Sequence, residues 1–180
     1  MSHFETLLPI RDSLVQLRPL AHRDADRYAE GTRDGDVLRY AHLPLSEYTA
    51  EIVRQLVDTV VAEGLREGTL LVLTIADAVT DEFLGSVVLF DVREDRAEVG
   101  FWLAPWARGR GVAGRALDLV SGLARTAGLT ALEARTLPEN AASRRLLERG
   151  GFTCGGEPAE SVTPDGELRA TLHYDQRLDA

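Results

Sequence analysis

The hydrophobic pattern changes period several times along the chain. Ser13–Leu20 is a short apolar run that reads as an opening strand, closed by Pro19. Arg23 to Arg33 reads as a helix with Asp24 near its start. From a cap at Ser46 or Thr49 to about Glu67, the residues Ile52, Leu56, Val57, Val60, Val61 and Leu65 recur at helical spacing, which predicts one long helix. The pattern then switches to strands. Thr69–Ala76 and Phe83–Val92 are joined by a turn around Thr80–Glu82, and Ala97–Leu103 follows the charged turn Arg93–Arg96 as the third strand of a meander. Helical spacing returns from Val112 to Ala127, with Ala113, Ala116, Leu117, Val120, Leu123, Ala124 and Ala127 on one stripe and Gly128 as its stop. Leu129–Thr136 is a strand ended by Pro138, and Asn140–Arg149 a short helix stopped by Gly150-Gly151. Strands around Phe152–Gly155 and Leu168–Leu178 close the chain, with a Pro164-Asp165-Gly166 turn before the second.

The predicted order is one strand, two helices and three antiparallel strands. A helix, a strand, a helix and two closing strands follow. Such mixed order implies an α+β (mixed α/β) architecture, not a doubly wound parallel sheet. There is no internal repeat, low-complexity tract or interior linker, so residues 1–180 read as a single domain.

Composition narrows the function. The net charge of −9 repels phosphate backbones and argues against nucleic acid as a partner. No apolar run is long enough to span a membrane, and the N-terminus lacks the features of a secretory signal. The one cysteine, Cys154, cannot form an internal disulfide, and a cytoplasmic location is expected. The chain contains no lysine, which excludes Schiff-base chemistry at a lysine and a phosphate loop of the Gly-Lys-Ser/Thr kind. His3, His22, His42 and His173 are scattered without ligand spacing, so no metal is expected.

The most informative stretch runs from Leu103 to Val112, where a strand enters a loop rich in glycine and arginine that opens a helix. The free N–H groups and positive dipole of a helix start bind phosphate or pyrophosphate, and the glycines let a ligand approach the backbone. Arg108 and Arg110 add charge for phosphate. Gly109-x-Gly111-x-x-Gly114 matches the dinucleotide fingerprint of nicotinamide-dependent reductases. Against that reading, Pro105 and its neighbours separate the glycines from the strand, and too few residues remain after Gly114 to complete such a fold. The same residues contain Arg108-x-x-Gly111-x-Ala113, the loop of the GNAT acetyltransferases.

Other blocks extend this second match. Leu17-Arg18-Pro19-Leu20, Glu98-Val99-Gly100-Phe101-Trp102-Leu103 and Asn140-x-x-Ser143-x-x-Leu146-x-Glu148-x-Gly150-Gly151-Phe152 stand in the family's order and spacing. The chain resembles the GNAT (GCN5-related) N-acetyltransferase superfamily, in its branch of ribosomal-protein alanine or serine N-acetyltransferases, over almost its whole length. The resemblance implies a mostly antiparallel central sheet, splayed at the coenzyme site and flanked by about four helices. It implies acetyl-CoA as co-substrate and an amine acceptor, either a protein N-terminus or a small molecule. A homodimer is left open. On these residues, the strand around Trp102 and Leu103 would pair with the pantetheine arm. Arg108, Gly109, Arg110, Gly111, Val112, Ala113 and Gly114 would cradle the pyrophosphate. Asn140 would lie beside the pantetheine arm, although a plain helix N-cap needs the same residue type. Ser143 would lie near the coenzyme sulfur.

Acetyl transfer to an amine requires a neutral nucleophile, a polarised thioester carbonyl and a leaving thiolate, held together. Glu98 is the candidate general base, directly or through water, and backbone N–H groups near Leu103 are candidates to polarise the carbonyl. Many relatives carry a tyrosine one turn after the position of Ser143, as proton donor to the thiolate. Here that place is Leu147, which leaves Ser143 or water held by it. Tyr174 is expected to pack or to close the substrate groove. Trp102 is expected in the core or the groove wall, with Trp106 near the opening. Two other readings stay open: an acyl-CoA-binding sensor of the same fold without turnover, and the NAD(P)-dependent reductase built on the glycine fingerprint.

Overall fold

The computed structural model describes residues 2–178. In chain order its elements are α1 (His3–Leu7), β1 (Ile10–Arg11), β2 (Val15–Pro19), α2 (Ala25–Gly31), α3 (Gly35–Tyr40), α4 (Ala50–Leu56) and α5 (Ala62–Glu67). Then follow β3 (Leu71–Asp77), β4 (Phe83–Phe90), β5 (Arg96–Leu103), α6 (Val112–Thr126), β6 (Ala131–Thr136), α7 (Ala141–Arg149), β7 (Thr153–Cys154), β8 (Ala159–Val162) and β9 (Leu168–Arg177). Every segment read from the hydrophobic pattern is present. The elements α1, β1, α3 and β8 had no counterpart in it. Each has two to six residues, shorter than a window in which either period can be recognised.

The strands form one sheet in the order β1-β2-β3-β4-β5-β6-β9-β7, with β8 also on β9. All pairings are antiparallel except β5 with β6. That parallel pairing is short: Arg96 with Ala131, Ala97 with Leu132 and Glu98 with Glu133. Beyond Glu98 the two strands part, although β5 continues to Leu103 and β6 to Thr136. The sheet is therefore splayed in its middle, the feature that the resemblance implied.

Side chains alternate across the sheet. Val15, Leu17, Leu71, Leu73, Ile75, Leu89, Ala97, Val99 and Leu132 are buried against Val112, Ala116, Leu117, Val120, Leu123 and Ala124 of α6. The opposite face carries the register pairs Ser86–Trp102, Val88–Gly100 and Phe90–Glu98. At its upper end this face packs on α2 to α4 through a second core of Ala25, Tyr28, Val37, Tyr48, Val53, Phe83 and Trp102. Tyr28 meets Trp102 edge-on, 5.0 Å between centroids at 86°, an arrangement aromatic quadrupoles favour.

The long helix expected up to Glu67 is continuous but not uniform. Thr49 caps it, its hydroxyl accepting from the Ile52 N–H at 3.2 Å. Between α4 and α5, Val57–Val61 forms a π-helical turn. Such a turn inserts a residue and re-aims the apolar stripe. Leu56, Val60 and Val61 line the large groove described next.

Candidate functional site

The splay opens into a groove of about 1030 Å³. One wall is the sheet face, with Ser86, Val88, Phe90, Glu98, Gly100 and Trp102; the other is built from the α3–α4 region and the start of α7. Seven residues singled out from the sequence line it together: Glu98, Trp102, Leu103, Arg108, Ala113, Asn140 and Ser143. Gly109, Arg110, Gly111, Val112 and Gly114 belong to the adjoining loop and first turn of α6 but not to the groove lining. Trp106 does not line it either. Its indole N–H donates to the Phe83 carbonyl at 3.0 Å, and Arg27 stacks on its ring at 4.6 Å. Trp106 thus packs and forms no part of the groove lining.

The loop has the conformation its glycines permit. Gly109 and Gly111 have φ of +74° and +75°, a region costly for residues with a Cβ. A Cβ at either position would meet nothing within 4 Å, so φ, not crowding, demands glycine here. Gly111 is the N-cap of α6 and no side chain caps it, so the first N–H groups of the helix have no intrahelical or side-chain acceptor. Val112 turns its side chain into the core.

The two arginines of the loop are already engaged. Arg108 donates to Asp34 Oδ1 at 2.5 Å, to Asp36 Oδ2 at 3.3 Å and to the Leu103 carbonyl at 3.3 Å. The Arg108 guanidinium, with burial opposing it, holds the Asp34 carboxyl below its ordinary value. Arg110 lies 3.7 Å from Asp77. In this structure their charge is shared with carboxylates, and the unpaired polar groups of the loop are backbone N–H.

Across the splay, Asn140 is the N-cap of α7: its Oδ1 accepts from the Ser143 N–H at 3.1 Å. The capping reading of Asn140 is therefore present in the geometry, and its presence in the groove lining shows that the two roles are compatible. Ser143 lies on the groove side of the first turn of α7, and its hydroxyl has no hydrogen-bond partner among the described residues. Leu147, one turn later, is 1% exposed and sits in the core. Tyr174 is likewise buried on the α7 side of the sheet and donates to Glu148 Oε1 at 3.2 Å; it packs and does not close the groove. Cys154 is half-buried in β7 beside Tyr174.

Glu98 is buried on the groove face, and Arg135 Nε donates to its Oε1 at 2.8 Å. Oε2 has no hydrogen-bond partner among the described residues. Arg135 is anchored in turn by donating to the Val162 carbonyl at 2.7 Å. Arg135 did not stand out in the sequence. Its only signal was period two: it follows Glu133 by two residues on β6, and Glu133 is opposite Glu98. His42, Asp165 and Arg169 did not stand out either, because their meeting joins the α3–α4 loop to the β8–β9 turn across a long stretch of chain. Among the described residues, no three His, Cys, Asp or Glu side chains are grouped so as to hold a metal ion.

Residues 15–153 match the family model described as an acetyltransferase (GNAT) domain. The chain belongs to the GNAT acetyltransferase family. Solved structures share its fold. A ribosomal-protein alanine acetyltransferase from Vibrio fischeri aligns with TM-score 0.79 at 18% identity, covering 96% of this chain and 97% of its own. RimL, a ribosomal α-N-protein acetyltransferase in complex with coenzyme A, aligns with TM-score 0.80 at 18% identity over 94% and 97%. Spermidine N-acetyltransferase from Vibrio cholerae, in complex with coenzyme A and spermine, aligns with TM-score 0.76 at 17% identity over 93% and 97%. No protein with a curated description matches the sequence. Among the described residues no helix is long and apolar enough to cross a membrane. The glycine fingerprint thus belongs to a GNAT loop following an antiparallel meander, not to the first turn of a dinucleotide fold.

Proposed function

We propose that this acetyltransferase, acting as one domain over residues 1–180, moves an acetyl group directly from acetyl-CoA to a primary amine of a protein N-terminus or a small molecule. The observation that carries the reading is the splay. Past Glu98 the edge of β5 has no partner on the β6 side, so its backbone is free to pair with the amide-bearing arm of a ligand. The uncapped start of α6 lies at one end of the groove and the start of α7 lies across it. The N–H groups of Gly109–Gly114 suit the pyrophosphate, as helix starts do. Asn140 serves as cap and as neighbour of the arm.

The thioester supplies the activated acetyl group. Glu98 is the base, through its free Oε2 or a water on it. Ser143 offers its unpartnered hydroxyl to the sulfur as charge builds there. The acidic residues of the groove lining are Asp36, Glu98 and Glu139, and each is already paired with an arginine: Arg108, Arg135 and Arg39. With the remaining wall largely apolar, this favours an acceptor with one cationic amine over a polycation.

The test is incubation with acetyl-CoA and a panel of amines, peptides included, while free thiol is followed. Thiol release that depends on the amine supports transfer. Coenzyme binding without release from any amine supports the sensor reading instead.

A further inference from the structure

We infer that His42 is a second proton acceptor in this groove and takes the first proton from the incoming ammonium. The inference rests on the acetyl-transfer reading above and adds a residue to it.

The stoichiometry calls for two deprotonations at nitrogen. An ammonium loses one proton before it has a lone pair. The amine then attacks the thioester carbonyl, the C–N bond forms, and the adduct carries a positive nitrogen and an oxyanion. That nitrogen loses a second proton as the C–S bond breaks with its electron pair on sulfur. One of the two protons ends on the thiol and the other leaves to solvent. Glu98, on the strand that borders the splay, is placed for the second step. The first belongs at the acceptor end, to a group that is neutral near pH 7 and has a free lone pair.

His42 has those properties. It lies in the loop between α3 and α4 and lines both the main groove and an adjoining hollow of about 700 Å³ formed by Thr32–Tyr48 and the β8–β9 turn. Its side chain is only 11% exposed. Nε2 is buried without a hydrogen-bond partner, an arrangement that costs free energy unless something else uses it; an ammonium reaches it only by displacing the side chains that cover it. Its backbone has φ of +48°, unusual for a residue with a Cβ and found preferentially at functional sites. Nδ1 is 3.8 Å from Asp165 Oδ2, which favours the tautomer with the proton on Nδ1 and a lone pair on Nε2.

The charged groups around the ring come from every element packed on it. Asp165 in the β8–β9 turn and Glu139 before α7 favour the imidazolium, while Arg169 on β9 and Arg135 on β6 oppose it. Burial is the strongest influence, and with the arginines it holds His42 below its ordinary 6.5, so the ring is neutral at pH 7. Asp165 stays ionised. Burial alone would raise its carboxyl, but hydrogen bonds from Arg169, Thr163 and the Glu167 N–H outweigh that and hold it at about 2. An anion therefore faces Nδ1 at the moment Nε2 gains its proton.

The experiment compares pH profiles of kcat/KM for the parent, His42→Gln and Glu98→Gln, using an amine that the parent acetylates. Calorimetric titration with acetyl-CoA confirms that each variant is folded and binds the coenzyme. His42→Gln is expected to lose roughly 10- to 100-fold near pH 7. The loss should shrink as rising pH delivers the amine already neutral. The acid limb of the profile should move in this variant to higher pH, toward the ionisation of the amine itself. A His42→Gln profile that runs parallel to the parent over the whole range would overturn the inference and leave acetyl transfer standing. A parent that releases no thiol with any amine would overturn both. Should the variant not fold, ring-proton NMR of the parent decides: the His42 resonances must titrate below 6.5 and move when the acceptor amine is added, and a ring that ignores the amine overturns the inference.

Discussion

Two polar clusters, one buried and one lining the groove, illustrate how differently this fold uses ionised groups. Arg18 on β2 and Asp24, just before α2, are 5% and 3% exposed. They make a two-pronged pair, Nη1 to Oδ2 at 2.7 Å and Nη2 to Oδ1 at 2.9 Å. Arg18 Nε also donates to Asp81 at 2.7 Å, and Asp24 accepts from the Ala21 N–H and the Thr74 hydroxyl. Nearly every donor and acceptor is used. In the groove, Glu98 has one bond on one oxygen, Ser143 has a free hydroxyl and His42 has an unpartnered nitrogen. A saturated network fixes how chain segments meet, here β2, α2 and the β3–β4 turn. An unsaturated one, even part-sheltered, is stable only if the fold supports it for another purpose.

Damage to the two clusters should therefore have separable effects. The largest effect is expected from Asp24→Ala, which leaves a buried guanidinium short of its main partner. Urea unfolding should show a loss of about 3–5 kcal/mol, while kcat of the folded fraction stays near that of the parent. The pH dependence has a defined sign. Burial pushes the Asp24 carboxyl up, but Arg18, the Ala21 N–H and Thr74 prevail and hold it below its ordinary 3.8. Its contribution is thus complete above that value and is lost as pH falls through the lower, folded-state value. The parent should lose stability in that acid window more steeply than the variant.

Glu98→Gln should do the reverse. We expect kcat to fall by roughly 10²-fold with the unfolding midpoint little changed; a large stability loss with near-normal turnover would place Glu98 with the structural pair instead. Ser143→Ala should lower kcat and kcat/KM together by about 1–3 kcal/mol in barrier terms. If acetyl-CoA affinity falls while kcat holds, the hydroxyl is a binding group. The smallest effect is expected from Gly111→Val. A side chain at φ +75° carries a strain of about 1–2 kcal/mol, and relieving it should weaken coenzyme affinity roughly tenfold, measured by calorimetry on folded protein.

Much of the fold was legible because long elements carry their period openly: the α6 stripe from Ala116 to Ala124 is buried as read, and the β3–β4–β5 meander has the predicted order. The π turn at Val57–Val61 was not legible, since its residues fit a regular helix equally well. At the site, local geometry was readable and long-range company was not. Strand, glycines and helix start at Leu103–Val112 and the Asn140 cap follow from neighbouring residues. That Arg135 would hold Glu98, that Asp34 and Asp36 would hold Arg108, and that His42 would face Asp165 depends on how distant segments pack. No spacing in the chain encodes those meetings.

The three-rung contact between β5 and β6 has a mechanical consequence. On one side of it lies the β1–β5 meander, on the other the β6–β9–β7 group with β8. Helix α6, whose side chains reach into both, is the main strap across the join. The sheet is thus two panels on a short hinge, with the open edge of each facing the gap. A ligand arm laid along the β5 edge and touching α7 would act as a rivet between panels, adding the backbone contacts that the strands do not make to each other. Occupancy of the groove and cohesion of the sheet are then a single quantity, and the amides on either side of the gap should exchange with solvent more slowly when the rivet is in place.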